Sequence, residues 1–233
     1  MDIIEISRAT HVTKTVHSEP YDAISTDNPK LSQAGKTILI TGGGTTIGNE
    51  IGRSFVHAAA DTVIILGRRL EVLQEGASRL EQEAKAAGTH TKIIHRQLDI
   101  TDFSAVDAFW EQLTSEGTSV DVFVSNAAAF PQLKPLLESG AKNMWSHLNA
   151  NMVAKDTLVE EMQITPMHPG LIWSLEWVKL VFKDDVGFDD SQYAQGRFAW
   201  ASWDVNEQSE GPIRNSIKGG PYYLKMTIRG ANP

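Results

Sequence analysis

Two hydrophobic rhythms alternate between residues 37 and 124. Short apolar or β-branched runs, Thr37 to Thr41, Thr62 to Leu66, about Thr91 to Leu98 and Val120 to Val124, predict strands. Between them apolar residues recur at helical spacing. Ile47, Ile51, Phe55 and Ala58 mark one helix. Leu73, Ala77, Leu80 and Ala84 mark a second that ends near Gly88, and Phe103 to Leu113 marks a third. Strands alternating with helices at these intervals predict a parallel sheet with right-handed crossovers, an α/β fold of the doubly wound Rossmann type.

The flanks read differently. Residues 1–35 are polar and rich in turn formers (Glu19-Pro20, Asp27-Asn28-Pro29, Gln33-Ala34-Gly35), which predicts an extended arm ahead of a single domain over 36–233. Beyond Val124 the pattern loosens. Trp145 to Met162 is compatible with a helix, Gln163 to Met167 with a short strand, and His168-Pro169-Gly170 with a turn. A helix over Trp173 to Phe182, a late strand over Arg197 to Trp203 and an ordered tail over Tyr222 to Ile228 complete the expectation.

The first strand runs into Thr41-Gly42-Gly43-Gly44-Thr45-Thr46-Ile47-Gly48, and a helix follows. Strand, glycine turn, helix is the layout that takes a dinucleotide pyrophosphate. The backbone must approach the phosphates closely, which a Cβ would block, and the helix start offers free N–H groups and a positive dipole end.

Totals narrow the field. The chain has 233 residues, 41% hydrophobic, with no apolar run long enough to span a bilayer. A formal charge of −8 without a basic run argues against nucleic-acid or anionic-membrane partners. The sequence has no cysteine, which excludes disulfides and thiolate chemistry, and no His, Asp and Glu cluster at ligand spacing predicts a metal. Met1 to Glu19 lacks the apolar core of a signal peptide, which predicts a cytoplasmic location.

The turn, with Asp99 after the third strand, Asn126-Ala127-Ala128 after the fourth, and Pro169-Gly170, resembles the short-chain dehydrogenase/reductase family, and Tyr21-Asp22-Ala23-Ile24 with Gly196 to Asp204 resembles a branch common in filamentous fungi. Thr46 stands where that family has its middle glycine, and Ala128 where its Asn-Ala-Gly motif ends. The resemblance implies that Gly42, Gly44, Thr46, Ile47 and Gly48 bind the cofactor, with Asp99 on the adenine side, Asn126 in the site, and Pro169 and Gly170 ahead of the nicotinamide-facing loop. It further implies a small-molecule carbonyl or alcohol substrate, a place in secondary metabolism, and a homodimer or homotetramer.

Charge bears on the choice of cofactor. An NAD site usually carries an acid at the end of the second strand. Here Leu66 and Gly67 are followed by Arg68 and Arg69, whose guanidinium forks match a 2′-phosphate. These arginines point to NADP over NAD; the alternative is that they open a solvated helix.

The family's reaction needs a tyrosine with a lysine four residues on. A free phenol has a pKa near ~10 and needs an adjacent cation to exchange protons near neutrality. No Tyr-x-x-x-Lys occurs here: Tyr21 is followed at that spacing by Ser25, Tyr193 by Arg197, Tyr222 by Met226 and Tyr223 by Thr227. Trp145 to Asn151 resembles the family's helix before its catalytic strand, and Ala154 to Val159 resembles the end of its catalytic helix. The two abut, as if one inner strand and the start of the catalytic helix had been deleted. Asn151 then holds either the tyrosine's place or that of the proton-relay asparagine. Lys155 is either the ribose-binding lysine or a solvated helix lysine. Ser174 is either the carbonyl-orienting serine or a helix N-cap. Trp173, Trp177, Phe182, Trp200 and Trp203 are candidates for an aromatic pocket or for core. Three functions stay open: an NADP-dependent oxidoreductase, an NADP-binding protein without redox activity, and a scaffold repurposed for a non-redox step.

Overall fold

A computed structural model describes residues 13–17, 20–129, 138, 140–143, 145, 167–168, 199–200, 204, 206–207 and 210–219. Their contacts gather into two compact units, residues 29–159 in one and residues 1–28 with 160–233 in the other.

In the unit spanning 29–159, β1 (Thr37–Thr41), β2 (Thr62–Gly67), β3 (Lys92–Gln97) and β4 (Val122–Val124) form a parallel sheet in the order β3-β2-β1-β4. The register sets Ile38 against Val63 and Val122, and Leu39 against Ile64 and Phe123. Helix α1 (Thr46–His57) connects β1 to β2, α2 (Leu70–Ala87) connects β2 to β3, and α3 (Phe103–Ser115) connects β3 to β4.

Side chains alternate across a strand, so the sheet has two apolar faces. Ile38, Ile40, Val63 and Ile65 pack with Val56 of α1 and with Leu73 and Leu80 of α2. Leu39, Ile64 and Leu66 face the other way, onto Val106, Phe109 and Leu113 of α3. Helices on both faces make the fold doubly wound, as the alternation predicts. Ile38, Leu39 and Ile40 are 0% exposed, and burying side chains of this size stabilises by about 2 kcal/mol each.

Local chemistry sets the element ends. Gly88 adopts φ 69° and closes α2 in the left-handed conformation that glycine tolerates. The Asp102 carboxylate accepts the Ala105 N–H at 3.1 Å and starts α3. Among the described residues no strand pairs with the outer edge of β4. The expected loss of an inner strand concerns positions that lie mostly outside the described residues, as do the helix expected over Trp173 to Phe182 and the tail from Tyr222.

In the other unit, β5 (Met167–His168) pairs in parallel with β6 (Ala199–Trp200), and α4 (Gly211–Gly219) follows. The first of these strands takes in Met167 and extends into His168, where a turn was expected; the second falls within the expected late strand. His17 Nε2 lies 2.6 Å from Asp204 Oδ2, and the Tyr21 ring stacks on His17 at 3.6 Å. The Glu207 carboxylate accepts the N–H groups of Lys14 and Thr15, each at 2.8 Å. Burial works to raise the Asp204 pKa, but hydrogen bonds from His17 and the Glu207 N–H outweigh it and hold the carboxyl below its ordinary value.

Candidate functional site

The β1–α1 turn is built by close approach of backbone to backbone. Gly42 has φ 68°, and its N–H donates to Leu66 O at 2.8 Å, joining the ends of β1 and β2. A Cβ on Gly43 would lie 2.5 Å from Ile65 Cγ2 and 3.3 Å from Ile40 O, and one on Gly48 would run into the Gly42 carbonyl oxygen. Both positions therefore require glycine. Thr45 is the N-cap residue of α1 and its side chain makes no capping bond, so the first turn of the helix keeps its orphan N–H groups.

Thr46, at the family's glycine position, has φ 46°. A β-branched side chain in the left-handed region is a genuine backbone outlier, with a cost of about 1–2 kcal/mol. The turn thus keeps a glycine-type conformation without the glycine.

Neighbouring strand ends complete the site. The hydroxyl of Thr41 accepts the N–H groups of Asn126 and Ala127, both at 3.0 Å, and the Asn126 amide donates to Thr41 O at 3.0 Å and Gly42 O at 3.4 Å. Arg68 and Arg69 follow β2 directly, with Arg69 the N-cap residue of α2. Gln97 holds this stretch by donating to Arg68 O at 2.8 Å. Asp99 follows β3, where its carboxylate accepts the N–H of Thr101 at 2.9 Å and the Thr101 hydroxyl at 2.7 Å. The Thr101 N–H holds the Asp99 carboxyl below the usual carboxylate range against partial burial, with help from the Thr101 hydroxyl and the charge of Arg68.

Gly42, Gly44, Thr46, Ile47, Gly48, Arg68, Arg69, Asp99 and Asn126 therefore stand together at the carboxyl ends of parallel strands, the usual ligand edge of an open α/β sheet. An apolar cleft lined by Leu66, Leu98, Ile100, Phe109 and Ser125 opens beside them. Asn151, Lys155, Pro169, Gly170 and Ser174 lie outside the described residues, as do Trp173, Trp177, Phe182 and Trp203.

Two side chains that sequence reasoning missed hold the turn from behind. Asn49 of α1, 7% exposed, donates to Gly43 O at 3.0 Å and Gly76 O at 3.2 Å. Arg79 of α2 donates to Gly44 O at 2.7 Å and to Asn49 Oδ1 at 3.2 Å. The place of Asn49 between Ile47 and Ile51 in α1 is a faint signal; Arg79 sits beside its helix's apolar stripe and carries none.

The short chain dehydrogenase model matches residues 36–163, more than half of the chain. The chain belongs to the short chain dehydrogenase family. It is 30% identical over 141 residues to the short chain dehydrogenase pigC of Monascus ruber, covering 60% of this chain and 46% of that protein. It is 32% identical over 154 residues to a short chain dehydrogenase/reductase of Claviceps purpurea, covering 66% and 50%. The chain thus spans about half the length of these two relatives. To the short chain dehydrogenase/reductase AacuD of Aspergillus aculeatus it is 23% identical over 254 aligned positions, covering 84% of this chain and 89% of that protein. Since 84% of 233 is about 196, about 58 of those 254 positions have no residue of this chain opposite them.

Among the described residues no group of three or more His, Asp or Glu is placed to hold a metal ion. Nor is any described helix long and apolar enough to cross a membrane.

Proposed function

We propose that this chain binds NADP(H) on the β1–α1 turn, as an oxidoreductase-family protein whose site serves the interconversion of a small carbonyl and alcohol. The observation that carries this is the turn itself. Glycines at positions that reject a Cβ and an uncapped helix start together present backbone N–H groups at the carboxyl edge of the sheet. These residues fit a dinucleotide.

In this assignment Gly42, Gly44, Thr46, Ile47 and Gly48 hold the pyrophosphate, and Arg68 with Arg69 takes the 2′-phosphate that distinguishes NADP from NAD. Asp99 lies on the adenine side and Asn126 keeps the turn in register; by family resemblance alone, Pro169 and Gly170 would precede the nicotinamide-facing loop. When bound, the cofactor supplies or accepts a hydride. Roles for Lys155 on the ribose, Asn151 in proton relay and Ser174 on the carbonyl, assembly as a homodimer or homotetramer, and a cytoplasmic location rest on family resemblance and sequence reading alone.

A specific observation favours a second reading, binding without turnover. None of the four tyrosines, Tyr21, Tyr193, Tyr222 and Tyr223, has a lysine four residues on, and a phenol with no adjacent cation does not exchange protons efficiently near neutral pH.

Tryptophan fluorescence on titration with NADPH and with NADH, followed by turnover on a panel of carbonyl compounds, separates these readings. Tighter binding of NADPH is expected. Binding with no turnover selects the redox-inactive protein, and no binding of either nucleotide sinks both.

A further inference from the structure

We propose that Arg79 is a positioning residue for the dinucleotide turn, acting with Asn49 to aim the N–H groups of Gly44 and Thr45 outward. This rests on the nucleotide-binding reading above. A trans peptide is planar, so the carbonyl of one residue and the N–H of the next point in opposite directions. Fixing a carbonyl therefore fixes a donor. Asn49 Nδ2 holds Gly43 O at 3.0 Å, which sets the direction of the Gly44 N–H. Arg79 Nη2 holds Gly44 O at 2.7 Å, which sets the direction of the Thr45 N–H. Among the described residues neither of these N–H groups has an acceptor. They are donors aimed away from the two helices that brace them.

The brace is well determined. Asn49 uses both ends of its amide, donating to Gly43 O and to Gly76 O at 3.2 Å while its oxygen accepts Arg79 Nε at 3.2 Å. Helix α2 comes this close because Gly76 faces the turn: a Cβ there would lie 2.6 Å from Gly44 O. The guanidinium also sets a positive charge beside a turn that receives an anion. The same contacts explain how the turn retains a left-handed Thr46, since strained backbone persists where its surroundings over-determine it. A lysine at 79 would keep the charge and lose the fork that bonds Gly44 O and Asn49 together.

The test compares the wild type with Arg79→Met and Arg79→Lys in binding two ligands, NADPH and adenosine 2′-monophosphate. The second carries the 2′-phosphate but no pyrophosphate. Both variants are expected to bind NADPH about tenfold more weakly, the scale of one charge-assisted hydrogen bond, and to bind the nucleoside phosphate within about twofold of the wild type. Protection of the Gly44 and Thr45 amides by NADPH, read by hydrogen exchange, should fall in parallel. Unchanged NADPH binding in both variants overturns the inference and leaves nucleotide binding standing. Equal loss of both ligands overturns it as well, because a positioning residue would spare the ligand without pyrophosphate. If Arg79→Met does not fold, Arg79→Lys decides the matter alone, and full NADPH affinity there overturns the inference. A wild type that binds no NADPH overturns the parent reading and this inference together.

Discussion

The side-chain amide of Asn126 donates to the carbonyl of Thr41 at 3.0 Å, and the Thr41 hydroxyl accepts the backbone N–H of Asn126, also at 3.0 Å. The bonds join the ends of β1 and β4, where the chain leaves one strand for the glycine turn and the other for the Asn126 loop. Replacing Thr41 by valine would leave the N–H groups of Asn126 and Ala127 without that acceptor. We expect Thr41→Val to lower stability by about 2 kcal/mol in urea denaturation and Thr41→Ser, which keeps the hydroxyl, to lose much less. Equal losses in the two variants would assign the effect to packing of the methyl group.

Thr46 offers the opposite case, a residue whose replacement should help. Its φ of 46° is left-handed, and glycine has no Cβ to resist it. Thr46→Gly should raise stability by about 1 kcal/mol, a rise in Tm of roughly 2–4 °C for a protein of this size. Thermal unfolding followed by circular dichroism measures it, and a lower Tm would show that the threonine makes compensating contacts.

Arg68 carries the proposed choice between cofactors. A guanidinium–phosphate contact contributes about 1.5–3 kcal/mol. Arg68→Ala should therefore weaken NADPH at least about tenfold while NADH changes within about twofold. Parallel loss of both nucleotides would remove the 2′-phosphate role.

Asp99 makes folding sensitive to acid. Its carboxyl is depressed in the folded chain, mainly by the Thr101 N–H. The stabilisation it brings is present above the unfolded aspartate value, near ~3.9, and is lost as pH falls through the lower folded value. Comparison of wild type with Asp99→Asn between pH 5 and pH 3 by chemical denaturation should show the flatter pH profile in the variant. The asparagine still offers Thr101 an acceptor, so the difference isolates the charge; identical slopes would assign the acid sensitivity to other carboxylates.

How far these features were legible varies with their range. Leu73, Ala77, Leu80 and Ala84 have the spacing of one helix face, and all four are buried in α2, with Gly88 as its stop. Thr37 to Thr41 has the pattern of a strand ahead of a glycine turn and forms β1 with those limits. The third helix runs two residues beyond Leu113, to Ser115, and the strand read from Val120 begins at Val122. End shifts of this size are expected, because periodicity reports the body of an element better than its terminal turn. Thr46 departs from the family's glycine in the sequence, but its left-handed φ is not legible there, since one residue type does not reveal its dihedral.

Element types, the two-faced sheet and the glycine turn between strand and helix were set by local order: apolar spacing and the steric freedom of glycine act over a few residues. The working surface of the turn was decided elsewhere. Asn126 reaches Thr41 across 85 positions, and Arg79 reaches Gly44 across 35. Arg68 acts on Asp99 only because β2 and β3 end side by side. Periodicity carries no record of such pairs, because which carbonyl a guanidinium meets, and so which way the next N–H points, depends on how the helices pack on the sheet.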